Sequence, residues 1–588
     1  MGLHAWLTLA VVALVLFALV RDLTSPATAV FAGSVLLLVT GVIDTGEAFA
    51  GFSNPGPITV AALYVLAAAV EKTGALSPLM RRTLGERGVL RRPLLRLLVP
   101  TVGTSAFLNN TPIVAMLVPQ VTTWADQRRI SASKLLMPLS FGAILGGVIT
   151  VIGTSTNLVV SGQMEAAGME PIGFFEIGKI GLPVAILGTI LIIALAPRLL
   201  PPRRSVREGL EEDSNRFTVE MIVEPGGALD GKTVEAAGLR HLAGVFLAAV
   251  DRGDTVIAPV RPETVLRGDN KLRFVGRADE VLDLRSMKGL RSAEEEHLLH
   301  LDPAVRYFEA VIGAESPLVG KTLVDVGFRS RYQAAVLAIS RSGQLIDAKL
   351  GTVPLRVGDT LIVIADPGFR DRWRHRLDFI LVAEMDSAPP TTSRNAKVVG
   401  LTLAALVILA AIGLVPILEG SVVVALLLIG LKILTPDEAR RAVDLEVIGV
   451  IAAAFGLAAA VESSGLAQIV ASGLVSAFDS LGSSGVLLGL VLATVVLTEL
   501  ITNNAAALLM FPIALAASSQ AAIDPRGAAI AVAAAASASF LTPIGYQTNT
   551  MVYGPGGYRF SDYARLGTPL TVVMVATIVA LVPVFWPT

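Results

Sequence analysis

The chain contains no cysteine, which excludes disulfides, thiol nucleophiles and thiolate metal sites. Charge is scarce, at 16% of residues, and aromatic side chains make up only 5%. The formal net charge of −1 leaves no global field to recruit nucleic acid or another polyanion. Hydrophobic residues instead account for 53% of the 588 positions, outside the range of soluble globular proteins, and a polytopic membrane protein is expected. The first apolar run, Trp6 to Val20, has no basic stretch before it and no Ala-x-Ala-like exit, because Arg21 and Asp22 follow directly. It reads as a membrane helix rather than a cleaved signal.

Composition then shifts sharply. Up to about residue 200 and beyond about 397 the sequence consists of long apolar stretches, whereas roughly 201–395 is charged and alternates like strands in "FTVEMIVE" and "DTLIVIAD". A soluble module therefore separates two membrane halves, residues 1–200 and 396–588. The segments "PPRRSVREGLEEDSNR" and "EMDSAPPTTSRNAK" have linker composition.

Spans of membrane-crossing length are expected near 5–20, 28–43, 57–75, 134–160 and 178–197, and again near 397–415, 420–434, 445–463, 526–551 and 567–587. Two further apolar stretches, 94–125 and 485–518, are interrupted by Asn109-Asn110-Thr111 and Thr502-Asn503-Asn504 and read as re-entrant hairpins. With both termini outside, the inside segments carry Arg21, Arg81, Arg82, Arg87, Arg91, Arg92, Arg96, Arg128, Arg129, Lys134, Lys432, Arg440, Arg441, Arg559 and Arg565. Only Lys179 and Arg526 then lie outside. The positive-inside rule accordingly places the soluble module in the cytoplasm, with the protein in the plasma (inner) membrane.

The interruptions recur. "SAFLNNTPIVAMLVP" from Ser105 matches "TELITNNAAALLMFP" from Thr498, "AAAVEKTGAL" from Ala67 matches "AAAVESSGLA" from Ala458, and "GTSTN" from Gly153 matches "GYQTN" from Gly545. A unit with an odd number of crossings that is duplicated must return inverted. Inverted repeats bring discontinuous helices together at the midplane, where substrate and coupling ions bind. Helix N-termini at the two tips would offer free N–H groups to an anion. Asn and Thr oxygens, with carbonyls freed at Gly153 and Gly545, suit a hard cation such as Na⁺. A lone Asn or Thr in a membrane helix usually makes an interhelical hydrogen bond and nothing more; the duplicated pattern is what points to a site.

On these paired motifs the chain resembles the divalent anion:sodium symporter (DASS) family of the ion transporter superfamily, over both membrane halves. The resemblance implies a scaffold domain, a moving transport domain, a homodimer and an elevator-type cycle coupled to Na⁺. It implies a first sodium site from Ser105, Asn109, Asn110 and Gly153, and a second from Thr498, Thr502, Asn503 and Gly545. Asn110, Thr111, Asn503 and Asn504 would face the anion. The Thr-Pro-Pro-Asn run usual in that family is Thr-Ser-Thr-Asn at 154–157 and Tyr-Gln-Thr-Asn at 546–549, which leaves Thr156, Asn157, Thr548 and Asn549 as further candidates. Glu71 and Glu462 are repeated intramembrane acids, and such acids are functional candidates, although both lie near span ends.

The soluble module is itself duplicated. "LDGKTVEAAGLR", "VDRGDTVIAP" and "VLRGDNKLRFVG" return about 89 residues later as "LVGKTLVDVGFR", "ISRSGQLIDA" and "PLRVGDTLIVIAD". This resembles two TrkA-C (RCK C-terminal) α+β domains, at 217–285 and 306–375, a family that binds regulatory ligands or dimerises. A regulatory nucleotide is one such ligand, and Arg240, Arg252, Arg329 and Arg331 could meet it. "GGALDGKT", Gly226 to Thr233, satisfies P-loop spacing, but its repeat has Glu315 in place of Gly226, so a turn is expected and ATP hydrolysis is not.

The expected function is therefore not enzymatic. It is Na⁺-coupled symport of a divalent anion, sulfate or a C4-dicarboxylate. Proton-coupled or antiport transport on the same architecture, and a channel gated by the soluble module, are the alternatives.

Overall fold

Glycine, proline and capping side chains set the helix boundaries of the membrane halves. The computed structural model describes residues 2–21, 23–75, 90–128, 130–203, 216–239, 245–253, 255–257, 260–277, 289–292, 306–313, 316–341, 344–346, 348, 350–373, 376, 378–384 and 395–587. Arg81, Arg82, Arg87, Arg129, Arg240 and Glu315, most of both linkers and the expected domain boundary at 285 lie outside these residues. The chain separates into two units. One comprises Met1–Pro202, Ala388–Tyr553 and Tyr558–Thr588; the other holds the intervening module.

The first half of the apolar unit contains α1 (Leu3–Val20), α2 (Pro26–Val39), the one-turn α3 (Thr45–Phe49), α4 (Pro55–Thr73), α5 (Arg91–Ser105), α6 (Asn110–Gln127), α7 (Ser133–Gly147), α8 (Ser155–Ala166) and α9 (Gly178–Leu199). The second half contains α10 (Ala396–Ala411), α11 (Ile417–Gly430), α12 (Pro436–Ala442), α13 (Leu445–Ser463), α14 (Leu466–Phe478), α15 (Gly482–Leu500), α16 (Asn503–Ala521), α17 (Pro525–Ala536), α18 (Gln547–Tyr553) and α19 (Phe560–Phe585). Local signals recur in the same order. The short α3 and α12 each carry a capping box, Asp44 with Glu47 and Thr435 with Glu438, so each satisfies its orphan N–H groups from its own side chains. The long α4 and α13 start on Asn54 and Asp444, whose side chains accept from backbone N–H groups one turn in. Gly74 ends α4 in the left-handed region, at φ 63°, where a Cβ would be strained.

Among the described residues, six helical segments are long and apolar enough to cross a membrane: Thr45–Thr73, Gly178–Leu199, Leu445–Ser463, Gly482–Leu500, Asn503–Ala521 and Phe560–Phe585. Several shorter apolar helices join them. This revises the sequence expectation in three places. The spans expected at 134–160 and 526–551 are not continuous: helix stops at Gly147 and resumes at Ser155, and stops at Ala536 and resumes at Gln547. The carbonyls this frees are met by one side chain in each half. Asn157 Nδ2 donates to the carbonyls of Gly147 and Thr150, and Asn549 Nδ2 donates to those of Ser539 and Thr542. Such compensation is what permits irregular backbone at membrane depth. In the second hairpin, α15 and α16 are 19 residues each, so their length does not by itself argue for re-entry. Finally, α14 and the short α3 and α12 had no counterpart among the expected spans.

Glycines let the last helix of each half lie directly on the unwound segment. A Cβ on Gly181 of α9 would stand 1.8 Å from the Val148 carbonyl oxygen, and one on Gly567 of α19 would stand 2.1 Å from that of Phe540. Between these segments the edge of Phe141 packs on Phe540, with ring centroids 5.1 Å apart.

The soluble unit holds two five-stranded antiparallel sheets. The strands are β1 (Arg216–Val223), β2 (Val245–Asp251), β3 (Val256–Ile257), β4 (Lys271–Arg277) and β5 (Leu290–Ser292), then β6 (Arg306–Val311), β7 (Ala334–Arg341), β8 (Gln344–Leu345), β9 (Thr360–Ala365) and β10 (Leu381–Glu384). The orders β3-β2-β4-β1-β5 and β8-β7-β9-β6-β10 are the same path drawn twice. Even the bulge repeats, between Leu247 and Ala249 in β2 and between Val336 and Ala338 in β7. The fifth strand of each sheet, β5 and β10, falls beyond residues 285 and 375 because it is short and carries almost no alternation of its own.

In this unit the P-loop spacing builds a turn. The Asp230 carboxylate accepts the N–H groups of Gly226 and Gly268, taking amides that a phosphate would need. These bonds, Gly226 first, hold its carboxyl below the usual range. Gly231 N–H donates to the Leu266 carbonyl, as Gly320 N–H does to that of Leu355.

Candidate functional site

Ser105 is the last residue of α5 and Asn110 the first of α6; both are buried. The Ser105 hydroxyl oxygen lies 2.6 Å from Asn110 Oδ1 and 2.8 Å from the Ala143 carbonyl oxygen. One hydroxyl proton cannot serve two acceptors at full strength, so this node has an excess of oxygen lone pairs. The second half repeats it. Thr498 Oγ1 lies 2.9 Å from Asn503 Oδ1 and 2.6 Å from the Ala536 carbonyl, at the same separations along the chain, five and 38 residues.

Gly153 and Gly545 lie in the two unwound segments. A Cβ on Gly153 would meet the Gly147 carbonyl at 2.5 Å, and one on Gly147 would meet Asn110 Oδ1 at 2.8 Å; the glycines admit only backbone there. Around Gly545 the oxygens crowd further. A Cβ would stand 2.2 Å from Ser539 Oγ and 2.8 Å from Glu499 Oε2.

Several of these oxygens have no hydrogen-bond partner although they are buried: Asn157 Oδ1 in the first half, Thr502 Oγ1 and Ser539 Oγ in the second. Buried orphan polar atoms are costly. Clustered, uncommitted oxygens form the donor set a hard cation takes, so the residues present fit a small alkali cation at each node.

The hairpin tips also reach across to the opposite half. Asn110 Nδ2 donates to Tyr546 Oη at 2.7 Å, and Thr154 Oγ1 lies 3.2 Å from the same oxygen. Thr111 Oγ1 donates to Gln547 Oε1 at 3.2 Å, while Ser155 Oγ donates to Asn504 Oδ1 at 3.1 Å, with Thr156 Oγ1 at 3.4 Å. These contacts are reciprocal. In the motif register Thr111 corresponds to Asn504 and Gln547 to Ser155, so each hairpin tip touches the restart of the other half's broken helix. The patch offers amides and hydroxyls, and no Lys or Arg enters these contacts.

The structure therefore joins Ser105 with Asn110, Thr498 with Asn503, and Asn504 with Thr156, and brings Thr111 to Gln547. Asn157, Thr548 and Asn549 serve the framework: Asn157 and Asn549 hold freed carbonyls, and Ser140 Oγ bonds both Thr548 and Asn549. Asn109, half-buried in the turn before α6, joins none of these nodes. Glu462 is exposed at the end of α13 and Glu71 half-buried at the end of α4, both apart from the nodes.

Sequence reasoning passed over two residues. Glu499 is buried, its Oε1 accepting the Leu541 N–H at 2.7 Å and its Oε2 the Thr542 hydroxyl at 2.8 Å. In the first half the corresponding Thr150 hydroxyl donates to the backbone carbonyl of Ala106. A side-chain carboxyl thus replaces a peptide carbonyl, and only the second node gains an acid. The signal was an acidic residue inside "TELITNN". Tyr546 was passed over because its motif match, Thr154, is small.

A sequence profile described as citrate transporter, CitMHS, matches residues 12–535 and 422–587. An uncharacterized transporter of Synechocystis is 36% identical over 97% of this chain and 95% of its own length. An uncharacterized transporter of Escherichia coli is 29% identical over 99% and 98%. Sodium/sulfate cotransporter 1 of Chlamydomonas reinhardtii is 26% identical over 90% and 84%. With a polytopic helical unit, duplicated oxygen-rich nodes and a profile match over most of its length, the chain belongs to the citrate transporter (CitMHS) family of membrane transporters.

Proposed function

We propose that the protein is a Na⁺-coupled symporter of a small divalent anion, sulfate ahead of C4-dicarboxylates, of the DASS type. The observation that carries this reading is the pair of matched nodes, Ser105–Asn110 and Thr498–Asn503, whose excess oxygens suit Na⁺ and whose adjoining tips present neutral donors. Bound Na⁺ supplies positive charge beside an anion that meets no Lys or Arg. Relatives named sodium/sulfate cotransporters support both the ion and the anion.

In this reading the halves are inverted repeats, the interrupted segments are re-entrant hairpins, and a homodimer embedded in lipid moves its transport domain as an elevator. The soluble pair are TrkA-C domains on the cytoplasmic side of the plasma membrane, with both termini outside; they regulate transport through a ligand such as a nucleotide. Support for this orientation comes from Arg526 and Lys179, the two basic residues expected on the far side. Arg526 pairs with Glu176 at 2.6 Å, Trp586 Nε1 donates to Glu176, and Lys179 lies over the Trp586 ring. The N-terminal ends of α9 and α17 and the C-terminal end of α19 thus share one side.

Glu499 favours a second reading, in which protons couple at the second node in place of one Na⁺. Uptake of radiolabelled sulfate, succinate and citrate into proteoliposomes, driven by a Na⁺ gradient or by a pH gradient in choline, separates the two. Sulfate accumulation only with inward Na⁺ is expected. Accumulation of none of the anions under either gradient would refute anion symport.

A further inference from the structure

The two halves differ in side-chain size at one matched pair of positions, Thr154 and Tyr546. Both stand at the same place in the motif, where the second half of a broken helix is about to restart. One is a short hydroxyl side chain; the other is a phenol. Tyr546 Oη receives Asn110 Nδ2 at 2.7 Å from the first hairpin tip and lies 3.2 Å from Thr154 Oγ1. Its ring therefore fills the space between the first tip and the two helix restarts, which a threonine would leave open.

The bond pattern assigns the phenol a second property. The amide donates to Oη and uses a lone pair, so the phenolic proton must point elsewhere. Its only partner among the bonds described is the Thr154 hydroxyl, at a distance near the long limit for an O–H···O bond. That proton is the one easily turned toward an incoming anion. Thr111 Oγ1 and Ser155 Oγ, each with a proton now given to a neutral amide oxygen, stand on the same patch. Hydrogen bonds to an ionised acceptor are about twice as strong as those to a neutral one, so these protons gain by switching. A compact tetrahedral oxyanion can collect donors that converge from one short radius. A four-carbon dicarboxylate needs room for a second carboxylate about a chain length away, and the phenol ring takes up room beside the first tip that a threonine would leave.

We propose that Tyr546 is the specificity-determining residue of the transport site. Its hydroxyl donates to a bound tetrahedral oxyanion and its ring excludes longer dicarboxylates. The inference rests on the anion-symport reading above and extends it to the choice of anion.

The test uses the full-length protein in proteoliposomes under an inward Na⁺ gradient, with labelled sulfate and labelled succinate as separate probes. Wild type is expected to accumulate sulfate and exclude succinate. Tyr546→Phe, which keeps the ring, should raise the KM for sulfate about tenfold, one lost charge-assisted hydrogen bond, while still excluding succinate. Tyr546→Thr, which copies the other half, should admit succinate, improving the succinate-to-sulfate ratio of kcat/KM by about tenfold or more. Sulfate-dependent thermal stabilisation of each purified variant reports binding independently of turnover, so a transport-dead but folded variant still gives an answer. A Thr variant with wild-type selectivity, a Phe variant with wild-type sulfate affinity, or a wild type that carries succinate as well as sulfate would each overturn the role of Tyr546 and leave anion symport standing. A wild type that carries neither overturns the role of Tyr546 together with the Na⁺-coupled reading it rests on, while uptake of citrate, or uptake under the pH gradient, decides whether symport itself stands.

Discussion

At the scale of single residues, the deciding feature is that two acceptor oxygens in each node face a single hydroxyl proton. Ser105 and Thr498 each face two acceptors, a poor arrangement for a purely structural hydrogen bond and a good one for a cation. Asn110→Ala and Asn503→Ala should therefore abolish Na⁺-driven uptake and leave monodisperse protein, checked by size exclusion beside flux. Full uptake by both variants would remove the node assignment. Ser105→Ala should raise the Na⁺ concentration for half-maximal uptake by about tenfold, the loss of one polar ligand. Glu499→Gln keeps the shape but only one of the two acceptor oxygens, so the Leu541 N–H or the Thr542 hydroxyl loses its acceptor. If the second node takes Na⁺, this variant should weaken Na⁺ dependence; if it takes a proton, uptake should lose its response to a pH gradient and keep any response to Na⁺.

At the scale of elements, the unwound segments persist because neighbouring helices are shaped to hold them. Gly181 and Gly567 touch the carbonyls of Val148 and Phe540 in the two unwound segments so closely that a methyl group has nowhere to go. Gly181→Ala and Gly567→Ala should each lose about 1–3 kcal/mol of stability, read as a lowered thermal midpoint in detergent, and reduce uptake with it. An unchanged midpoint would show that α9 and α19 are free to stand off. In the soluble sheets the turn before β4 carries Asn270 and the turn before β9 carries Asp359. Both accept a turn N–H, from Arg267 and Arg356, but only Asp359 takes a charged partner, Arg341, whose Nε and one terminal nitrogen lie 2.8 and 2.7 Å away. The buried Asp359 holds the Arg341 guanidinium in its charged form. Asp359→Asn should then cost the second domain about 2 kcal/mol, measurable by denaturant melts, whereas Asn270→Asp should cost the first far less, because Arg252 holds the Val265 carbonyl as Arg341 holds that of Pro354 and is its counterpart in the first sheet.

At the scale of the whole molecule, the proposed transport site and the proposed control module fall in different units. Both nodes and the reciprocal contacts lie within the apolar unit, and the P-loop-like turn is closed by Asp230. Replacing 205–393 by a flexible linker should preserve Na⁺-coupled uptake while altering its rate or its response to a ligand. The module can bias transport only by binding one state of the cycle more tightly than another. A folded, membrane-inserted deletion without Na⁺ or anion binding would make the module part of the site. Lys232→Ala should leave uptake unchanged, with no ATPase activity to lose.

The sequence alone determined the plan of two apolar halves around a duplicated module, because composition and periodicity are local. It also singled out Ser105, Asn110, Thr498 and Asn503, which the fold brings together in pairs, because duplication marks positions without reference to space. Gly153 and Gly545 were legible as breaks for the same reason, although the spans drawn through them were too long: hydropathy averages over a polar interruption that a single asparagine can satisfy. Other matters were decided by tertiary structure alone. That Glu499 turns inward to an unwound loop, that Tyr546 meets Asn110 of the first tip, and that Asp230 fills its own glycine turn all depend on which atom lies within about three ångströms of another. Those distances join residues up to 436 positions apart, and no local pattern encodes them.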